Sequence, residues 1–147
     1  MDLVWFGRYR REGGEQTFPE WEFSSDVTWE TAPAPAQVGK RVVEGFLQRP
    51  LPEGAAPLVN NVMHWTYGVQ WGGVYGILAG SLAKRRIGTG LMFATIVWGS
   101  GYVILPLAEL YKPIWQYDLR TLAKDYSAHL AYGTVTAATF RALSIRR

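Results

Sequence analysis

IGTGLMFATIVWGSGYVILPLA, residues 87–108, contains no charged side chain and is rich in large apolar groups. A helix that crosses a membrane needs about 20 predominantly apolar residues. A soluble helix of this length normally carries a charged stripe that faces water. The run therefore predicts a helix in a lipid bilayer. Pro106 lies near its end, and membrane helices tolerate such a kink.

Two further stretches predict helices on either side of this run. Residues 54–83 contain no Asp, Glu, Lys or Arg, and we expect a helix over about residues 61–82. Residues 126–143 predict a third, more polar helix, which neighbouring helices should cover. We therefore predict an all-α fold, with a transmembrane helical bundle of three membrane helices in residues 61–147.

A soluble helical bundle is the alternative interpretation of the same pattern. It would require the tryptophans of the first two helices, Trp65, Trp71 and Trp98, to be buried all round. It would also leave those two helices without a charged face, which is uncommon in water. The membrane interpretation is favoured for these two reasons.

Residues 1–60 are predicted to be a polar, interfacial segment. We expect residues 1–31 to be an irregular, polar surface loop, in which aromatic side chains are interleaved with acids, and a partner-binding segment is the alternative. Apolar residues four apart predict a short amphipathic helix over about residues 37–48. Such a helix could lie in the headgroup plane or pack on the bundle.

The placement of charge predicts topology. The chain has 15 Lys and Arg against 12 Asp and Glu, and its bases lie at the ends of the apolar runs. This placement is typical of membrane proteins rather than of nucleic-acid binding. Residues 84–86, Lys-Arg-Arg, and the arginines of residues 141–147 share one side if all three helices span. The positive-inside rule makes that side cytoplasmic, so we expect a multi-pass protein of the cytoplasmic membrane with residues 1–60 facing outward.

Four glycines of the first predicted helix recur at intervals of four residues: Gly68, Gly72, Gly76 and Gly80. Small residues at this spacing let a second helix approach closely, since lipid supplies no hydrophobic drive between helices. We interpret the stripe as a packing groove and expect self-association or a partner membrane helix. A pore-lining strip is the alternative.

The pattern His-x-x-Tyr-Gly occurs in residues 64–68 and again in residues 129–133. It supplies the candidate residues His64, Tyr67, His129 and Tyr132. An ionisable residue in a membrane helix is a functional-site hypothesis. Three interpretations remain open: hydrogen-bonded structural histidines, a proton-linked or polar-solute site, and two axial ligands of a haem iron.

Other candidate chemistry is sparse. Gln70 and Ser100 are further polar groups in predicted membrane helices, and we expect them to form hydrogen bonds between helices. The chain has no cysteine, which excludes disulfides and thiolate metal sites. The sequence predicts no catalytic residues, no metal site and no cofactor.

Two motifs carry a resemblance to a known group of proteins: NNVMHW at residues 60–65 and AHLAYG at residues 128–133. They resemble uncharacterised small bacterial membrane proteins, distantly similar to the YagU-like inner-membrane family, over about residues 37–143. Such proteins usually have four hydrophobic helices. The resemblance therefore implies that a first helix is missing here, with residues 1–6 as its tail. It implies no established chemistry.

Together these features predict a non-enzymatic accessory or stress-related membrane protein, because packing motifs are present without a catalytic set. The first alternative is a small-solute or proton-linked carrier that uses the two histidines with Tyr67 and Gln70. The second is a haem-binding electron-transfer subunit. The expected partners are the lipid bilayer and other membrane helices, not nucleic acid.

Overall fold

The computed structural model describes residues 1–24, 28–81 and 87–145. Within these ranges the chain is all-helical, as predicted, and contains no strand. The α-helices are α1 (Asp2–Arg11), α2 (Phe18–Glu22), α3 (Ala34–Leu47), α4 (Ala56–Ser81), α5 (Ile87–Leu107) and α6 (Leu119–Ile145), with 3-10 turns at Glu53–Ala55 and Ile114–Gln116. Two compact units share the chain. Unit 1 comprises Met1, Leu3–Trp5 and the chain from Val69 onward, and unit 2 comprises Asp2 and Phe6–Gly68.

The N-terminal segment is helical where the sequence predicted an irregular chain. α1 carries basic residues in its last turn, where they suit the negative end of the helix dipole. α2 begins after Thr17, whose backbone N–H donates to the Glu20 carboxylate at 2.8 Å. Rings from both helices pack together, with Phe6 and Phe18 edge to face at 5.3 Å. The prediction was wrong because this packing joins residues that are distant in sequence.

α3 begins three residues before its predicted start and ends one residue before its predicted end. Pro35 lies in the first turn, where a helix does not need its missing N–H. Gly39 faces α4 within unit 2: a Cβ there would lie 2.4 Å from Cγ1 of Val59 and 2.6 Å from Cγ of Met63. The other face of α3 is apolar and exposed, and Phe46 is 86% accessible.

The three long helices follow the predicted order with different bounds. α4 begins at Ala56, so the predicted division after residue 60 falls inside it. Its predicted last residue, Leu82, lies outside the described residues, as do Lys84, Arg85 and Arg86. α6 begins at Leu119 because Asp118 caps it, accepting the Thr121 N–H at 2.9 Å. This start precedes the predicted one by seven residues, about two turns of helix that are largely polar, which an apolar pattern does not reveal.

α5 and α6 make the closest helix contact of unit 1. A Cβ on Gly90 would lie 2.4 Å from the carbonyl oxygen of Gly133, and a Cβ on Gly133 would lie 2.3 Å from that of Gly90. The neighbouring core contains Tyr75, Phe93 and Val97, with Ala137 from α6. The two backbones therefore touch, with no side chain between them.

Among the described residues, one helix is long and apolar enough to cross a membrane, over Gly88–Leu107. This segment lies within the sequence-predicted span of residues 87–108. Only 22% of the apolar window is buried. The other two predicted spans, now α4 and α6, are long enough, but their mean hydropathy is too low to meet the same criterion.

Candidate functional site

The carboxylate of Asp125, in the second turn of α6, is the polar centre of unit 1. Its Oδ2 accepts hydrogen bonds from Nε1 of Trp98 and from the hydroxyl of Tyr102, each at 3.1 Å. Its Oδ1 lies 3.4 Å from Nδ1 of His129, one turn further along α6. Three side chains from two helices therefore converge on one carboxylate.

The surroundings of His129 define which ring nitrogen bears the proton. Nδ1 lies 3.0 Å from the backbone oxygen of Asp125 and also faces its carboxylate. Because both neighbours are acceptors, Nδ1 is the donor. In the neutral ring, Nε2 is then left as an acceptor.

An open cleft of about 370 Å³ lies beside this carboxylate. It is lined by Trp5, Tyr102, Tyr111, Tyr117, Thr121, Lys124 and Asp125. The three tyrosine rings pack on one another, with centroid distances of 5.7 Å for Tyr102–Tyr111, 5.5 Å for Tyr102–Tyr117 and 6.1 Å for Tyr111–Tyr117. Burial, together with the negative charge of Asp125, raises the pKa of Tyr111 to about 12. Its phenol is therefore protonated at neutral pH.

Sequence reasoning missed Asp125 and the tyrosines around it. The predicted third helix began at residue 126, so no acid was placed in a predicted membrane helix. The spacing of Asp125 and His129, four residues apart on one helix face, was the available signal. The contacts with Trp98 and Tyr102 join different helices and left no local pattern.

His64 belongs to a separate cluster in unit 2. Its Nε2 lies 3.0 Å from Oδ1 of Asp2. Burial raises the pKa of Asp2, but the hydrogen bond and charge of His64 outweigh it, and the pKa is lowered on balance. The pKa of Glu22 is raised by burial and by the charge of Asp2. In the described part of the chain, no group of three His, Cys, Asp or Glu residues could hold a metal ion.

The remaining predicted polar residues are not gathered into either cluster. Tyr67 and Gln70 lie on exposed parts of α4. The hydroxyl of Ser100 donates to the carbonyl of Val97 in its own helix, at 2.8 Å. Tyr132 packs against the core of unit 1. Hydrogen bonds between helices occur elsewhere: Tyr75 with Thr89 at 2.8 Å, and Thr95 with Tyr126 at 2.9 Å.

The glycine stripe of α4 contacts side chains, not a backbone. A Cβ atom added at Gly76 or at Gly80 would lie 3.8 Å from the ring of Phe140. A Cβ added at Gly72 would lie 3.8 Å from the hydroxyl of Tyr132, and a Cβ added at Gly68 would meet no atom of another part of the chain within 4 Å. These are ordinary van der Waals distances, so the tight contact lies at Gly90 and Gly133.

Comparison with known proteins adds no identity to this site. No protein-family model, curated protein or solved structure matches the chain. The resemblance to the YagU-like family therefore stays a prediction. The haem hypothesis also stays a prediction. His64 and His129, its two proposed ligands, belong to different units, and each lies beside its own aspartate.

Proposed function

We propose that the protein is a multi-pass protein of the cytoplasmic membrane with a non-enzymatic accessory or stress-related role. The observation that carries this proposal is the apolar, largely unburied surface of α5. Its exposed large hydrophobic residues are Leu91, Met92, Ile96, Val103, Ile104 and Leu107. Leaving such surface in water costs roughly 25 cal/mol for each Å². Hydrocarbon around α5 removes that cost.

The soluble alternative fits this surface poorly. A core helix of a soluble protein is mostly buried, whereas 22% of the apolar window of α5 is buried. The soluble bundle also required Trp65 to be buried, and it is 57% accessible. Both observations support a bilayer as the surrounding medium.

The proposal extends to α4 and α6 by length and charge. α4 has 26 residues and contains no Asp, Glu, Lys or Arg. α6 has 27 residues, and after Asp125 its only acid or base among Asp, Glu, Lys and Arg is Arg141. At about 1.5 Å per residue, α4 is longer than the roughly 30 Å of a hydrocarbon core, and the part of α6 from Tyr126 to Ile145 is about as long as that core. In this proposal the spanning part of α6 starts at Tyr126.

Cysteine accessibility distinguishes three spans from one, and the chain has no native cysteine to interfere. Exposed positions for single substitutions are Val69→Cys in α4, Ile96→Cys in α5, Val135→Cys in α6, and Gln116→Cys between α5 and α6. In sealed vesicles with the outer face outward, a membrane-impermeant maleimide should label Gln116→Cys alone. The control that lipid protects is Ile96→Cys, which should stay unlabelled whether the protein has one span or three.

Two results would contradict the proposal. A single span at α5 would place Val69 and Val135 on opposite sides of the membrane. Labelling at Val135→Cys together with Gln116→Cys, or at Val69→Cys without Gln116→Cys, with Ile96→Cys protected in either case, would therefore reduce the protein to a single span. Labelling at all four positions, or recovery of folded monomer without detergent, would remove the bilayer altogether.

The second candidate function is a small-solute or proton-linked carrier, and the Asp125–His129 pair favours it. A proton can be held between this carboxylate and imidazole, beside an open cleft. Proton flux into proteoliposomes tests it, with His129→Ala compared with His64→Ala. A carrier based on unit 1 loses flux in the first variant, and equal flux in both variants and the wild type would dismiss it.

A further inference from the structure

The walls of the unit 1 cleft combine aromatic rings with one charge of each sign. Tyrosine faces carry a negative quadrupole, which attracts ammonium groups within about 6 Å of the ring centre. Tyr102, Tyr111 and Tyr117 supply three such rings, packed together along the cleft. Aromatic rings that line a cleft are one means by which proteins bind substituted ammonium groups.

The carboxylate of Asp125 adds to this attraction. Its negative charge reaches the neighbouring ring of Tyr111, whose pKa it helps to raise. His129 contacts the other side of the same carboxylate and Trp98 donates to it, so Asp125 is held in place by the protein. A fixed carboxylate beside aromatic rings favours a cation in the cleft.

Lys124 precedes Asp125 in α6 and lines the same cleft. A simple cation would be repelled by Lys124, and a simple anion by Asp125. A molecule with both charges matches both side chains. The specificity of the cleft then has two origins, the attraction of both charges of a zwitterion and the repulsion of compounds that carry one charge.

We propose that this cleft binds a small zwitterion, with its alkylated ammonium group against the tyrosine rings and Asp125 and its acid group at Lys124. The volume of about 370 Å³ lies at the small end of ligand sites, which begin near roughly 300 Å³. A free betaine or the headgroup of a zwitterionic phospholipid has this chemistry and size. The inference uses contacts within unit 1 and does not rest on the number of membrane spans.

A set of three small probes tests the charge pattern. The full-length protein in a maltoside detergent is titrated with glycine betaine, with choline, which lacks the acid group, and with tert-butylacetate, which lacks the positive charge. Calorimetry gives each Kd. For a free solute, glycine betaine should bind at least about tenfold more tightly than either, a factor typical of one lost ionic contact. Betaine binding no tighter than that of tert-butylacetate would show an apolar cleft and overturn the proposal for free solutes.

Substitutions at Tyr117 and Lys124 test whether these side chains contact the ligand. Tyr117→Leu should weaken glycine betaine binding about tenfold, whereas Tyr117→Phe keeps the ring and should stay within about twofold. Lys124→Gln should weaken betaine and leave choline unchanged or tighter. Circular dichroism checks that each variant is folded. Equal affinities in Tyr117→Leu and Tyr117→Phe would remove the ring contact from the proposal.

A second experiment, with lipids, distinguishes a free solute from a phospholipid headgroup as the ligand of the cleft. The wild type and Tyr117→Leu are placed in nanodiscs of equal phosphatidylcholine and phosphatidylglycerol, and retained lipid is identified by native mass spectrometry. Phosphatidylcholine retained by the wild type and lost in Tyr117→Leu assigns a lipid headgroup. Betaine binding without this retention assigns a free solute. The proposal is overturned if the titrations show no preference for glycine betaine and the nanodiscs show no selective retention of phosphatidylcholine.

Discussion

At the scale of single residues, Asp125 determines the polar interior of unit 1. One carboxylate satisfies the indole N–H of Trp98, the hydroxyl of Tyr102 and the imidazole of His129. A partly buried donor that loses its acceptor costs about 1–3 kcal/mol. The carboxylate therefore stabilises contacts between α5 and α6 in addition to lining the cleft.

We expect Asp125→Asn to lower the stability of the folded protein by about 1–3 kcal/mol, because the amide replaces an acceptor oxygen with a donor. Asp118→Asn is the matched control: the same substitution in the same helix, at a cap position that asparagine fills equally well. Thermal unfolding in detergent compares the two variants. An equal loss of stability in both would contradict the assigned role of Asp125.

Tyr111 should make stability depend on alkaline pH. Its folded pKa is about 12, against about 10 for an unfolded tyrosine, so the folded state disfavours the phenolate. The contribution is intact below about pH 10 and is lost as pH rises towards 12. Denaturant unfolding followed across that window should show a smaller loss in Tyr111→Phe. An identical loss in the variant would assign the effect to other groups.

At the scale of elements, sequence and structure agree best where one property governs the helix. The run of residues 87–108 was enough to locate α5, because nearly every residue in it is uncharged and favours an apolar environment. The start of α6 depends on a single cap at Asp118, and α1 and α2 depend on rings that meet across a loop. The tyrosine cleft and its carboxylate arise from contacts between elements, so no local pattern predicted them.

The Gly90–Gly133 contact gives a prediction at this scale. Glycine to alanine normally stabilises a helix by about 1 kcal/mol. At Gly90 the added methyl meets the backbone of Gly133, so we expect Gly90→Ala to destabilise the α5–α6 pair instead. Gly99→Ala lies in the same helix with nothing within 4 Å and serves as the control. Equal melting temperatures of the two variants in detergent would contradict the close contact.

At the scale of the whole molecule, charge should set the orientation in the membrane. Arg141 lies near the end of α6, and Arg146 and Arg147, the last two residues of the sequence, lie outside the described residues. The positive-inside rule then predicts a cytoplasmic C-terminus. A fluorescent protein fused there should be bright, and an alkaline phosphatase fusion at the same position should be inactive. The reverse pair of results would contradict this orientation.

In the proposed membrane arrangement, the length of α5 has a consequence for the lipid around it. α5 has 21 residues, about 32 Å at 1.5 Å per residue, which is close to the thickness of a hydrocarbon layer. It therefore fits upright in an average bilayer, and thinning of the lipid would force it to tilt. Its backbone touches that of α6 at a pair of glycines, so α6 would have to tilt with it. In that arrangement, the thickness of the lipid layer would set the tilt of α5 and α6 together.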